Sequence, residues 1–156
     1  MEKITSFTID HIRLQPGIYV SRKDKVGLET VTTFDLRITS PNEEPVLNTA
    51  EIHTIEHLGA TFLRNKEGWK DKILYFGPMG CRTGFYLLVR NADNTEVLTV
   101  VKATLEKIAF EATAMFGDSR IECGNYRELS LDAAKTEAKR YLDILNSREQ
   151  TFIYKS

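Results

Sequence analysis

The stretch GIYVSRKDKVGLETVTTFDLRIT, residues 17–39, decides the fold class. Its two halves, GIYVSRKDKVG at 17–27 and TVTTFDLRIT at 30–39, alternate and are rich in β-branched residues, with Gly27 between them. Branched side chains pack well on a pleated surface, and glycine enters turn conformations that other residues resist. The pattern therefore predicts two strands joined as a hairpin. Working outward, SPNEEP at 40–45 reads as a turn-rich loop. A helix is predicted from about Asn48 to Asn65, with Asn48 as N-cap and Glu51 three residues on in a capping-box arrangement. Ile73–Phe76 and Phe85–Val89 read as strands separated by the loop GPMGCRTG. A second helix is predicted from Thr95 to Phe116, because Leu98, Val101, Leu105, Ile108, Ala112 and Met115 recur at three- and four-residue steps, with Gly117 placed to end it. The last helix starts near Ser130 and carries Leu131, Ala134, Ala138, Tyr141, Leu142 and Leu145 on its apolar side. Strands and helices alternate only loosely. The expectation is an α+β fold: an antiparallel sheet packed by helices, a single-domain α/β sandwich over residues 1–156.

Composition narrows the function classes. A chain of 156 residues is long enough to bury a core without disulfides. Its 21 basic and 22 acidic residues show no block of like charge, which argues against nucleic acid or an anionic membrane as main partner. Met1-Glu2-Lys3 leads into no apolar run of signal-peptide length, and there is no eighteen-residue apolar run, so a cytoplasmic protein with reduced Cys81 and Cys123 is expected.

With only three histidines and two cysteines in the chain, the stretch HTIEH at 53–57 stands out. On a helix at about 100° per residue, His53 and His57 lie roughly 40° apart, with Glu56 about 60° to the other side of His53. Ile52, Ile55, Leu58, Phe62 and Leu63 fall mostly on the opposite arc, so the apolar face can pack on the sheet while both imidazoles project together. Solvated polar residues on an exposed helix face would give the same spacing. The adjacent glutamate favours metal, because H-x-x-E-H is the inverted zincin pattern: histidines on the ion, glutamate free for proton transfer. Two histidines need a third ligand, and an open fourth position marks a catalytic site. Cys81, Cys123, His11 or a carboxylate could supply it, and spacing does not choose among them. Both cysteines lie in polar, glycine-bearing loops, GPMGCRTG and GDSRIECGNYREL, not in the apolar runs where buried structural cysteines sit.

At these residues the chain resembles a known family. SFTIDH at 6–11, FDLR at 34–37, HTIEHL at 53–58, GPMGCRTGFY at 77–86 and ECGNYRE at 122–128 occur in the order and approximate spacing of the S-ribosylhomocysteine lyases, the LuxS family. The family varies before PMGC and after CGNY, where this chain has Gly77 and Glu128-Leu129. The resemblance implies cleavage of the thioether of S-ribosylhomocysteine to homocysteine and 4,5-dihydroxy-2,3-pentanedione, the precursor of the autoinducer-2 signal of quorum sensing, and a part in methionine recycling. It implies one divalent metal per chain, Fe2+ natively with Zn2+ or Co2+ as substitutes, held by His53, His57 and Cys123. It further implies Cys81 and Glu56 as proton carriers, Ser6, His11, Arg37 and Arg64 around the substrate, and a homodimer with active sites at the interface. These roles make chemical sense. Carbonyl migration along a sugar needs at least two positioned acid/base groups, and a thiol beside the metal and Arg37 or Arg82 is set up to serve as thiolate.

Two other readings compete. A zinc peptidase using HxxEH would have Glu56 activate water, but such enzymes usually take a glutamate as third ligand and work in much larger chains. A metal that only staples an interaction module would want four protein ligands, leaving no spare thiol and carboxylate.

Overall fold

In the computed structural model, which describes residues 1–155, the 17–39 stretch is a hairpin of β1 (Gly17–Val26) and β2 (Glu29–Arg37). Val26 pairs with Glu29 across a two-residue turn in which Gly27 has a φ of 64°, the left-handed region that hairpin turns use. The remaining strands are β3 (Ile73–Pro78) and β4 (Gly84–Arg90), and the antiparallel sheet runs β1-β2-β4-β3. β4 thus enters between β2 and β3, and Gly84 permits it: a Cβ there would lie 2.2 Å from the Leu36 carbonyl oxygen.

Pleating assigns the two faces. Ile18, Phe34, Leu36, Phe85, Leu87 and Val89 are buried on one face against the helices. On the other, Val31, Thr33, Tyr86 and Leu88 are half-buried and Leu74 and Tyr75 are exposed.

Three α-helices cover the inner face. α1 (Thr49–Asn65) begins with the expected capping box: Asn48 Oδ1 accepts from Glu51 N at 2.9 Å and Glu51 Oε2 accepts from Asn48 N at 2.8 Å. It buries Ile52, Ile55, Leu58 and Leu63, each worth roughly 1.5–3 kcal/mol, while Phe62 is half-buried. Gly59 sets how close it comes to β3, because a Cβ there would meet the Phe76 ring at 2.5 Å. α3 (Leu131–Ser147) presents Ala134, Ala138, Tyr141, Leu142 and Leu145 to the core, as the spacing predicts, with Leu131 half-buried beside it.

The second helix departs from the expectation. α2 spans Asn94–Glu106 and passes into a π turn at Lys107–Glu111, closed by Ala112 N on Lys107 O at 2.8 Å. The wider turn lets Ile108 and Ala109 both face the core, and the helix then ends. Ala112 is extended, with its carbonyl taken by Lys135 Nζ at 2.8 Å. Met115, Phe116 and Gly117 therefore lie beyond the helix, and Gly117 does not terminate it. The true stripe is Val97, Val100, Val101, Thr104 and Leu105, with Leu98 half-buried at its margin.

Candidate active site

α1 carries His53 and His57 on its half-buried flank, and the rings meet edge to face with centroids 4.6 Å apart. Each ring is aimed by a backbone carbonyl. His53 Nδ1 bonds Glu128 O at 3.1 Å, and His57 Nδ1 bonds Phe116 O at 2.7 Å. A carbonyl only accepts, so both Nδ1 atoms carry the proton and both Nε2 lone pairs are left to face the remaining neighbour.

That neighbour is Cys123. Its sulfur lies 3.3 Å from His53 Nε2 and 3.8 Å from His57 Nε2, and the three ligand atoms all lie within 4.8 Å of one another. Metal–nitrogen bonds of about 2.0 Å and metal–sulfur bonds of about 2.3 Å at a tetrahedral angle put ligand atoms roughly 3.5 Å apart, so the spacing fits one ion. Among the described residues no fourth His, Cys, Asp or Glu joins the group. The side left over is available to a substrate oxygen or water.

The loop that delivers Cys123 is tied to α1 at several points. Cys123 N donates to Ser119 O at 3.1 Å, and Asn125 N points at the Cys123 sulfur at 3.4 Å. The Glu128 carboxylate bonds Asn125 Nδ2 at 2.7 Å and the Thr49 hydroxyl. Ser130 N donates to Thr54 Oγ1 at 2.8 Å, and Thr54 is fully buried. Thr54 sits inside HTIEH yet faces the opposite way, as the clasp between α1 and the start of α3.

Cys81 lies elsewhere, in the turn between β3 and β4, and is exposed. Met79 N on Gly84 O (2.9 Å) and Arg82 N on Met79 O (2.9 Å) shape this turn, and Arg82 takes a φ of 61°. Of the two arginines weighed as its partner, Arg37 is the one in contact, with Nη1 3.9 Å from the sulfur. Arg37 is itself buried, donating to Asp35 through Nη2 (2.6 Å) and Nε (3.1 Å) and to Thr83 Oγ1 through Nη1 (2.6 Å). Burial alone works against its charge. Burial is the largest single influence, but the charge and hydrogen bonds of Asp35 together with Cys81 and Tyr154 outweigh it, and the net shift of the guanidinium is upward. Removing one member of such a buried pair typically costs about 3–5 kcal/mol.

The other expected residues are scattered. Glu56 is half-buried next to His57, and among the described residues its carboxylate has no hydrogen bond or ion pair. Ser6 lies in a short 3-10 turn, Thr5–Phe7, and His11 follows it with Nδ1 on Ile9 O at 2.9 Å. Arg64, in the last turn of α1, reaches Leu74 O at 3.5 Å. None of Ser6, His11, Arg37, Arg64 or Cys81 hydrogen-bonds His53, His57 or Cys123. Of the expected third ligands, the fold brings Cys123 to the histidines and leaves Cys81 and His11 outside the group.

Fold and cluster together define an α+β protein equipped to hold one metal ion through two imidazoles and a thiolate. A family model described as S-Ribosylhomocysteinase (LuxS) matches residues 4–152. The S-ribosylhomocysteine lyase of Finegoldia magna is 52% identical over 156 residues, covering 99% of each chain. That of Clostridium acetobutylicum is 51% identical over 148 residues, covering 94% of each, and that of Desulfotalea psychrophila 50% identical over 161 residues, covering 100% of each. The chain belongs to the S-ribosylhomocysteinase (LuxS) family.

Proposed function

We propose that this chain is a carbon–sulfur lyase that cleaves S-ribosylhomocysteine to homocysteine and 4,5-dihydroxy-2,3-pentanedione. The observation that carries the reading is a His53–His57–Cys123 cluster with no fourth protein ligand among the described residues, inside a family whose relatives bear that activity in their names. The peptidase alternative loses its ground, since the third group at the cluster is the Cys123 sulfur and among the described residues no glutamate joins it.

The reaction needs no outside oxidant. Removing a proton from one sugar carbon and returning one to its neighbour moves the carbonyl along the chain, and a carbonyl β to the C–S bond makes the adjacent C–H acidic. Loss of that proton expels homocysteine as thiolate. A bound divalent cation supplies Lewis acidity toward the sugar oxygens. We assign the ion to His53, His57 and Cys123, with Fe2+ as the native metal and Zn2+ or Co2+ as substitutes. Cys81, with the Arg37 guanidinium beside it, serves the early proton shifts. Glu56, unpartnered and next to a ligand, serves the last abstraction and the departure of the thiolate. Each such group is worth typically a hundredfold to ten-thousandfold in rate. Ser6, His11, Arg37 and Arg64 are assigned to the substrate.

We read the chain as a homodimer with active sites at the interface. Among the described residues SFTIDH makes no hydrogen bond to His53, His57 or Cys123, and Phe7, Ile12, Leu74 and Tyr75 are exposed. In a shared site SFTIDH of one chain would reach the metal of its partner. We assign the enzyme to autoinducer-2 formation and methionine recycling, and read it as cytoplasmic. Among the described residues no helix is long and apolar enough to cross a membrane.

The direct test is to incubate the metal-loaded protein with S-ribosylhomocysteine and titrate free thiol. One thiol per substrate consumed is expected, and no thiol release from a metal-replete sample would refute the activity. Light scattering on the active sample should give twice the chain mass; a fully active monomer would overturn the shared site.

A further inference from the structure

A second polar cluster, separate from the metal ligands, runs from the C-terminal segment to Cys81. The segment is pinned to β1: Val20 N donates to Phe152 O at 2.9 Å, and Tyr19 pairs with Phe152 in a parallel bridge. The Tyr154 ring then stacks on Tyr19, with centroids 4.9 Å apart and planes 10° from parallel. Its hydroxyl donates to Asp35 Oδ2 at 2.8 Å.

As far as Thr83 the donors in this cluster run in one direction. Between Thr83 and Cys81 either atom could donate while the sulfur is a thiol, and only Thr83 can once it is a thiolate. An ionised carboxylate only accepts and a guanidinium only donates. Asp35, fully buried, therefore accepts from Tyr154 and twice from Arg37. Arg37 Nη1, having no lone pair to offer, donates to Thr83 Oγ1 at 2.6 Å. The Thr83 hydroxyl proton is then directed away from Arg37. Its neighbour at hydrogen-bonding distance is the Cys81 sulfur, 3.1 Å away. A sulfur that receives a hydroxyl proton on one side and faces a guanidinium on the other is best served as thiolate, because hydrogen bonds to a charged acceptor are the stronger kind. Chains of this sort polarise one another, so the far end influences the near one.

We infer that Thr83 donates its hydroxyl proton to the Cys81 sulfur, and that Tyr154, acting through Asp35 and Arg37, holds Thr83 in that orientation. Both are positioning residues for the thiolate form of Cys81. The inference deepens the proposed function and rests on Cys81 as the proton carrier of that reading. It also gives the last residues of the chain a part in the site.

The experiment measures thiol chemistry and not turnover. The full-length, metal-loaded protein is treated with iodoacetamide at fixed, near-neutral pH, where the thiolate displaces iodide. The rate is read on the peptide containing Cys81 by mass spectrometry, so Cys123 does not contribute. Thr83→Val, which keeps the shape and removes the donor, should slow alkylation roughly tenfold or more. Thr83→Ser should restore the rate. Tyr154→Phe keeps the ring stack and removes the hydroxyl with its bonds to Asp35 and Ser21, acting on the thiol only through Asp35 and Arg37, so a smaller slowing of about two- to fivefold is expected. Tyr19→Phe should leave the rate unchanged, because that hydroxyl bonds Gln15 O and not Asp35. Cys81 is already exposed, so the test does not turn on access to the thiol, and rescue by Thr83→Ser separates loss of the donor from loosening of the fold. Thr83→Val or Tyr154→Phe reacting at the wild-type rate or faster overturns the inference, as does Thr83→Ser reacting as slowly as Thr83→Val. If Cys81 proved dispensable for lyase activity, the proposed function would lose its base while these alkylation rates would still decide the hydrogen-bond chain.

Discussion

Gly117→Ala probes how the fold aims His57. Gly117 has a φ of 65°, and a Cβ built there would sit 3.3 Å from His57 Nδ1, the atom already bonded to Phe116 O at 2.7 Å. Two costs follow. Left-handed backbone costs an alanine about 1–2 kcal/mol, which for a chain of this size lowers Tm by roughly 2–8 °C. The added methyl is also tighter against the imidazole than ordinary contact, and relief requires either the ring to turn or the neighbouring Phe116 carbonyl to move. Either motion swings Nε2 off the direction of Cys123. Loss of a hydrogen bond that orients a metal ligand typically costs about tenfold to a hundredfold in affinity. The assay is competition for Zn2+ against a fluorescent chelator at fixed pH, alongside calorimetric melting of the metal-free protein. Gly124→Ala is the internal control: it directly follows Cys123, has nothing within 4 Å of a built Cβ, and should leave both quantities unchanged. If Gly117→Ala lowered Tm but bound Zn2+ within twofold of wild type, the Phe116 carbonyl would not be what aims His57, and the account of the cluster given above would be wrong.

The two cysteines should separate cleanly: Cys123→Ala loses the metal by elemental analysis, since two imidazoles alone hold a divalent ion poorly, whereas Cys81→Ala keeps the metal and loses turnover. The reverse pattern would exchange their roles. Glu56→Gln should retain metal and reduce catalysis by about a hundredfold to ten-thousandfold, while still exchanging carbon-bound protons of the substrate with deuterated solvent; an unchanged rate would reduce HTIEH to metal binding. The phenols of Tyr141 and Tyr154 are both shifted upward, chiefly by burial and then by the Asp35 carboxylate. Because the folded state prefers them neutral, their contribution is intact below pH 10, the ordinary tyrosine value, and is lost as the pH rises beyond it. Ultraviolet titration should show their ionisation coinciding with alkaline unfolding, and ionisation within a still-native fold would contradict the burial argument.

Secondary structure in this chain is written mostly in local pattern. Branched alternation around Gly27 specified the hairpin, and Asn48 with Glu51 specified the start of α1, because turn geometry and capping bonds involve residues only a few positions apart. The placement of His53, Glu56 and His57 on one flank of α1 was legible for the same reason, since helical spacing alone puts them together. The end of α2 was not. The π turn at Lys107–Glu111 follows from how Ile108, Ala109 and Ala112 meet the core and from Lys135 taking the last carbonyl, which involves partners on another helix. Spacing left Cys81, Cys123, His11 and a carboxylate open as third ligand, and the resemblance to a family pointed to Cys123. The fold put Cys123 against both imidazoles from 66 and 70 residues away. The groups that aim the site, the carbonyls of Glu128 and Phe116, belong to the backbone and have no side-chain signature. Thr54, Thr83, Asp35 and Tyr154 are ordinary residues in the sequence and become partners only in the folded chain. A sequence sets what each residue is able to donate, accept or bind. Which partner it meets depends on closing loops of tens of residues, and only the packed core decides which of those closures are held.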